Sequence, residues 1–103
     1  MKINVDEFVE KLIANLRGVA TSKLDEVRML PLHNWSQHYY LFLKTSVPRA
    51  VAETLKQFGI PSGHKRMRMQ NRLLKIVYSF LKHLRKDFLK ENIEMLLREE
   101  GYL

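Results

Sequence analysis

The sequence predicts an all-α protein whose 103 residues form a single compact domain, residues 1–103. Apolar residues recur at helical spacing along almost the whole chain. The length is sufficient for one hydrophobic core but not for two. The one β-rich run, residues 39–43, has no partner strand elsewhere in the sequence, so we expect a helix there as well. The pattern indicates five or six helices, one of them long, basic and amphipathic.

The N-terminal quarter of the chain predicts two helices. Asn4 or Asp6 can cap the first helix, and Gly18 can end it. Residues 21–26 resemble a capping box, which predicts a short second helix that is closed by Pro31. The apolar face of the first helix consists of Val5, Phe8, Val9, Leu12, Ile13 and Leu16.

Two further helices follow in the middle of the chain. Asn34 offers an N-cap for a helix over residues 35–44. Ser46 offers the next cap, and Pro48 fits the first turn of the helix that follows it. Residues 59–63, Gly-Ile-Pro-Ser-Gly, are the strongest turn signal in the sequence and end that helix.

The longest predicted helix covers about residues 64–89. Asp87 or Asn92 breaks the pattern before a last helix, which Gly101 ends. The apolar residues of the long helix cluster on one side at 100° per residue. They are Leu73, Leu74, Val77, Phe80, Leu81, Leu84 and Phe88.

The positive charge of the protein is concentrated on this long helix. The chain has a formal net charge of +7, and residues 61–90 alone hold nine basic residues and one acidic residue. Little acid lies within three or four positions of these cations, whereas an ordinary solvated helix interleaves acidic and basic residues. Five cations fall on the side opposite the apolar face and form a predicted cationic ridge: Arg68, Arg72, Lys75, Lys82 and Lys86.

Such a ridge predicts a non-enzymatic nucleic-acid-binding protein that contacts the phosphate backbone of DNA or RNA. The predicted contact residues are Lys65, Arg66, Arg68, Arg72, Lys75, Lys82 and Lys86. The alternative is a small protein-interaction module or inhibitor that docks on an acidic or nucleic-acid-binding surface of a larger protein. A compact basic chain fits both hypotheses.

Two local patterns allow more specific interpretations. Residues 52–62 and the basic helix after them resemble a helix-turn-helix outline, but Lys65 and Arg66 stand where a recognition helix needs apolar residues. The second pattern is a set of aromatic residues that could stack on unpaired bases if exposed, although their helical spacing favours core packing. They are Trp35, Tyr39, Tyr40 and Phe42.

Signals for catalysis, metals or cofactors are weak throughout. The sequence has no cysteine, and its four histidines form no pair at helical ligand spacing. Arg28 and His33 have a spacing found in some helical ribonucleases, but Pro31 interrupts the helix that would carry them. We therefore expect no enzymatic activity, no cofactor and no small-molecule substrate.

The sequence also lacks a recognisable targeting segment and an apolar run long enough to span a membrane. We expect a cytoplasmic protein, or a nuclear one if its source is eukaryotic. The absence of cysteine is compatible with a reducing compartment.

Overall fold

The computed structural model of the protein describes residues 2–27 and 35–103, and every regular element in these ranges is helical. The all-α prediction is confirmed for this part of the chain. Pro31 as a helix end and Asn34 as a cap lie outside the described residues. The elements are α1 (Val5–Val27), α2 (Trp35–Leu41), a π-helical segment (Phe42–Ser46), α3 (Val47–Gln57), α4 (His64–His83) and α5 (Lys86–Glu99).

The four longer helices pack as a closed ring. Helices α1 and α4 each lie between α3 and α5. Neighbours in the ring run in opposite directions, as the contacts between α1 and α3 illustrate. The ring centroids of Phe8 and Phe58 lie 4.9 Å apart. Seven residues further along α1, the Asn15 side-chain amide donates a hydrogen bond of 2.8 Å to the hydroxyl of Thr54, which lies four residues before Phe58. The described residues therefore form one globule of antiparallel helices.

A single core fills the ring, and it contains one apolar stripe from each helix. Its buried side chains stop at Leu16 in α1 and at Val77 in α4. Beyond these two positions, the apolar side chains that the structure describes on α1 and α4 are only half-buried or exposed. The buried stripes are Phe8, Val9, Leu12 and Leu16 of α1; Val47, Ala50, Val51 and Leu55 of α3; Met69, Leu73 and Val77 of α4; and Leu89, Ile93, Leu96 and Leu97 of α5.

Helix α1 starts as predicted but is longer than predicted. The Asn4 side chain accepts a hydrogen bond of 3.0 Å from the Glu7 N–H, which confirms Asn4 as the cap. Gly18 does not end the helix, and residues 21–26 continue it instead of starting a new one. A glycine inside an exposed helix costs only about 1 kcal/mol relative to alanine. The packing of Val19 against the core offsets such a cost.

The predicted break at Ser46 is replaced by a π-helical segment that joins α2 and α3 without interruption. Ser46 has helical backbone angles and makes no capping hydrogen bond through its side chain. In the π register the Val47 N–H bonds to the Phe42 carbonyl. The next carbonyl, that of Leu43, would bond to the N–H of residue 48, but proline has none.

The hydroxyl of Tyr78 on α4 supplies the missing donor. It donates a hydrogen bond of 2.5 Å to the Leu43 carbonyl. A tyrosine hydroxyl is protonated at neutral pH and can donate, and burial raises the pKa of the Tyr78 phenol above its ordinary value. This bond fixes the second half of α4 against the π-helical segment.

Two glycines end helices as the sequence predicts. Gly59 follows α3 in the left-handed conformation, with φ +73°, and Ile60 then turns back into the core. The Ile60 N–H bonds to the Leu55 carbonyl, which is the backbone pattern of a Schellman motif. Gly101 repeats this arrangement after α5, where the Tyr102 N–H bonds to the Leu97 carbonyl.

The prediction of one helix over about 64–89 is wrong at its C-terminal end. Helix α4 ends at His83, and α5 begins at Lys86. The chain reverses at Leu84, which adopts the left-handed conformation with φ 53°. This conformation costs a leucine roughly 1–2 kcal/mol. Packing α5 antiparallel to α4 buries four apolar side chains of α5, which outweighs that cost.

The helix-turn-helix outline does not correspond to a helix-turn-helix geometry. Six residues, 58–63, separate α3 from α4. The two helices run side by side in opposite directions, with Ile60 against the start of α4 and Leu43 against Tyr78 further along it. In a helix-turn-helix the two helices cross at roughly 90–120° after a turn of about three or four residues.

Gly18→Ala should raise the free energy of unfolding by about 0.5–1 kcal/mol, because a methyl group there meets no atom within 4 Å and α1 continues through the site. Thermal melting measures the effect. Gly59→Ala is the matched control and should be destabilising, because its positive φ disfavours alanine. A destabilised Gly18→Ala variant would show that α1 ends where the sequence predicts.

Candidate functional site

Acidic residues at the C-terminal end of α5 neutralise the first half of the predicted ridge. The Arg68 guanidinium forms two hydrogen bonds with the Glu100 carboxylate, of 3.0 Å from Nε and 2.6 Å from Nη2. Arg72 binds the same carboxylate at 3.3 Å and also pairs with Glu99. The two acids come from about 30 positions further along the chain, so spacing within α4 gives no sign of them.

Glu100 is the buried member of this network. Its side chain is 5% exposed, whereas that of Arg68 is 58% exposed. The hydrogen bond from Arg68 lowers the pKa of the Glu100 carboxyl, and this effect exceeds the opposing effect of burial. The same contact raises the pKa of Arg68. A buried carboxylate without its partners would be strongly destabilising, so both arginines serve the fold.

The two cations at the start of α4 also have intramolecular contacts. The Arg66 guanidinium donates two hydrogen bonds to the Ile60 carbonyl, of 2.9 and 2.5 Å. The Lys65 ammonium lies 4.4 Å from the centroid of the Tyr102 ring, a cation–π contact. Arg66 therefore holds the turn after α3, and Lys65 covers the end of the chain.

Lys86 does not lie on α4 at all. It occupies the first turn of α5 and pairs with Glu10 of α1. One turn later the Lys90 ammonium lies 2.9 Å from the Asp6 carboxylate, which raises the pKa of Lys90. These pairs are exposed and contribute little to stability. They nevertheless place negative charge beside two of the cations.

Lys75 and Lys82 differ from the rest of the ridge. They lie seven residues apart on α4, so their side chains project from one face of the helix. Both are exposed. Within residues 2–27 and 35–103, no carboxylate pairs with either of them. The ridge is therefore divided into a neutralised first half and an open second half.

An aromatic groove adjoins the open half of the ridge. Tyr39 and Tyr40 are each 58% exposed. Lys44 lies over the Tyr40 ring, with its ammonium 5.6 Å from the centroid. We call this surface the tyrosine–lysine groove; it is lined by Tyr39, Tyr40, Leu43, Lys44, Tyr78, Leu81 and Lys82.

The expectation that the aromatic residues of this region pack in the core is wrong for Tyr39 and Tyr40. Phe42 is half-buried and packs against the core, as expected, and the Trp35 side chain lies outside the described structure. The core ends before this region, so α2 buries only part of its aromatic face. Tyr39 and Tyr40 carry hydroxyl groups and Phe42 does not. This difference is the sequence signal that distinguishes the two exposed rings from the half-buried one.

The residues that the structure describes do not assemble a metal centre. No group of three or more histidine or carboxylate side chains there could hold a metal ion. Arg28 and His33 lie outside the described residues. None of the described helices combines the length and apolar character needed to cross a membrane.

Comparison with known proteins gives no guide to the site. No family model, no curated protein and no solved structure matches the chain.

Stability should fall on acidification through the Glu100 carboxylate. Because its pKa in the folded state lies below the ordinary value, the stabilisation is complete at neutral pH and is lost as the pH falls through about 4.5 and below. Thermal melting between about pH 7 and pH 3.5 measures this loss. Glu100→Gln should have a lower melting temperature at neutral pH and a flatter acid limb than the natural protein.

Glu99→Gln is the matched control, because Glu99 is half-exposed and pairs only with Arg72. It should keep the acid limb of the natural protein. Parallel acid limbs for all three proteins would contradict the assignment of this titration to Glu100.

Proposed function

We propose that the protein is a non-enzymatic nucleic-acid-binding protein that contacts backbone phosphates through Lys44, Lys75 and Lys82. The observation that carries the proposal is the lack of a carboxylate beside these three cations within the described residues, in contrast to Arg68, Arg72 and Lys86. A phosphate that approaches Lys75 or Lys82 displaces only water and small ions.

Counterion release supplies the affinity in this proposal. Each lysine that neutralises a phosphate releases condensed cations from the nucleic acid, and the effect needs no sequence recognition. At Arg68 and Arg72 a phosphate would first have to displace a carboxylate, and Glu100 is buried. Of the contact residues expected from the sequence, the proposal keeps Lys75 and Lys82 in the second half of α4. It adds Lys44.

The salt dependence of the affinity should correspond to three phosphate contacts. The log–log slope of affinity against salt concentration should be about −2.7 for duplex DNA, since each contact contributes about −0.9. Fluorescence anisotropy of a labelled DNA duplex of about 20 base pairs, at several salt concentrations around 0.1 M, measures the slope. A slope near −4.5 would mean that five cations bind and that Arg68 and Arg72 exchange their carboxylates for phosphates.

A charge-matched pair of variants locates the contact. Lys44→Gln/Lys75→Gln/Lys82→Gln should weaken binding by at least about tenfold at 0.1 M salt. Lys2→Gln/Lys11→Gln/Lys56→Gln removes the same charge from exposed lysines outside the π-helical segment and α4, and should weaken it less than about threefold. Equal losses in the two variants, or no binding by the natural protein at low salt, would contradict the proposal.

The alternative, a protein-interaction module, is favoured by the exposure of large apolar side chains at the same end of α4. Leu84 is 70% exposed and Leu41 is 39% exposed. A protein partner would bury such side chains, and its affinity would depend only weakly on salt. Recovery of a stable protein complex from the native host that survives nuclease treatment, and its loss on Leu84→Ser, would support this alternative.

A further inference from the structure

The tyrosine–lysine groove combines exposed aromatic rings with lysine cations. A nucleic-acid duplex cannot bind to both features at once. The Tyr39 and Tyr40 side chains are each 58% exposed, and Lys44 and Lys82 place cations on the same surface. The bases of a duplex are stacked inside the helix and leave only their edges accessible. The bases of a single strand have free faces that can stack on aromatic side chains.

We propose that Tyr39 and Tyr40 stack on unpaired bases of a single-stranded nucleic acid, with Lys44 and Lys82 binding the adjoining phosphates. This inference rests on the proposed function, because it uses the same lysines, and it adds the class of nucleic acid. Single strands are the preferred ligand, and the preference comes from the rings.

Neighbouring side chains already restrict both rings. Tyr39 stacks on Phe42, with ring centroids 6.4 Å apart and planes inclined by 24°. Phe42 packs against the core, so Tyr39 is supported from beneath. Tyr40 lies against the Lys44 ammonium. Because the rings lose little conformational freedom when a base stacks on them, more of the stacking energy appears as affinity.

The backbone beneath the groove is also fixed. The hydrogen bond from Tyr78 to the Leu43 carbonyl connects α4, which carries Lys82, to the π-helical segment, which carries Lys44. This bond therefore holds together the two backbone segments that carry the lysines on the two sides of the groove. π-helical turns of this kind occur frequently at functional sites.

The charge of the lining residues favours an anionic ligand with regularly spaced charges. All charged residues that line the groove are lysines. A strand with one phosphate per nucleotide supplies an anion beside every stacked base, which matches lysines that flank a pair of rings.

Binding of two probes of equal backbone charge tests the inference. One is a fluorescein-labelled oligothymidylate of about 12 nucleotides, and the other is a labelled hairpin duplex with the same number of phosphates. The natural protein should bind the single strand more tightly. Tyr39→Leu/Tyr40→Leu keeps apolar bulk but removes both rings. It should weaken single-strand binding by about 25-fold or more, since each stacked base contributes about fivefold or more.

Two readouts separate stacking from a structural effect. Tyr39→Phe/Tyr40→Phe keeps both rings and should bind the single strand as the natural protein does. The leucine variant should keep its melting temperature, its duplex affinity and its salt slope, because the rings are exposed and the lysines remain.

Undiminished single-strand binding by Tyr39→Leu/Tyr40→Leu would overturn the inference. If the lysine variant still lost binding in that case, the proposed function would stand without base stacking. Failure of the natural protein to bind either probe at low salt would overturn both. A loss of duplex and single-strand affinity by equal factors in the leucine variant would also overturn it, because the rings would then confer no preference.

Discussion

The carboxylate of Glu100 is taken out of water when α5 packs against α4, and among the described residues Arg68 and Arg72 supply the ion pairs that oppose the cost of its burial. The contact closes the ring of helices at the end where the chain finishes. It is supported there by the hydrogen bond of 2.8 Å between the Ile3 N–H and the Tyr102 carbonyl. The same contact divides the cations of α4, because it assigns those of the first half to the fold and leaves Lys75 and Lys82 exposed.

The surface at the opposite end of the molecule is determined by the point at which the core ends. The buried side chains of α1 and α4 end at Leu16 and Val77, so the elements beyond them keep apolar and aromatic groups partly in solvent. Pro48 removes a donor from the helix backbone, and Tyr78 replaces it from α4. This hydrogen bond thus holds the part of α4 that carries Lys82 beside the segment that follows Tyr39 and Tyr40, and the result is a cationic and aromatic surface.

Signals that act over a few residues predicted the structure well. The cap at Asn4 and the left-handed glycines at 59 and 101 depend on local sequence, and the structure contains each of them. The apolar stripe of α1 is present too, but the predicted apolar face of the long helix loses Leu84, which is exposed, and Phe88, which lies on α5. Signals that depend on tertiary packing predicted it less well. Gly18 lies inside a helix and Leu84 reverses the chain, because packing between helices outweighs a backbone preference of about 1 kcal/mol.

The same difference between local signals and tertiary packing applies to the candidate site. Helical phase correctly placed Lys75 and Lys82 on one exposed face, since that is a property of a single helix. The pairing of Arg68 with Glu100 spans 32 positions of the sequence, and periodicity does not encode such a contact. The exposure of Tyr39 likewise depends on where neighbouring helices end. Counting cations along the chain therefore overestimates the charge that a ligand meets.

The division of the ridge can be measured directly by following backbone amide resonances of ¹⁵N-labelled protein during titration with a short single-stranded oligonucleotide at low salt. We expect the shifts to concentrate at residues 39–44 and 75–83, whereas the amides around Arg68, Arg72 and Glu100 stay in place. Shifts centred on residues 65–72 and 99–100, with residues 39–44 unchanged, would contradict this division of the ridge.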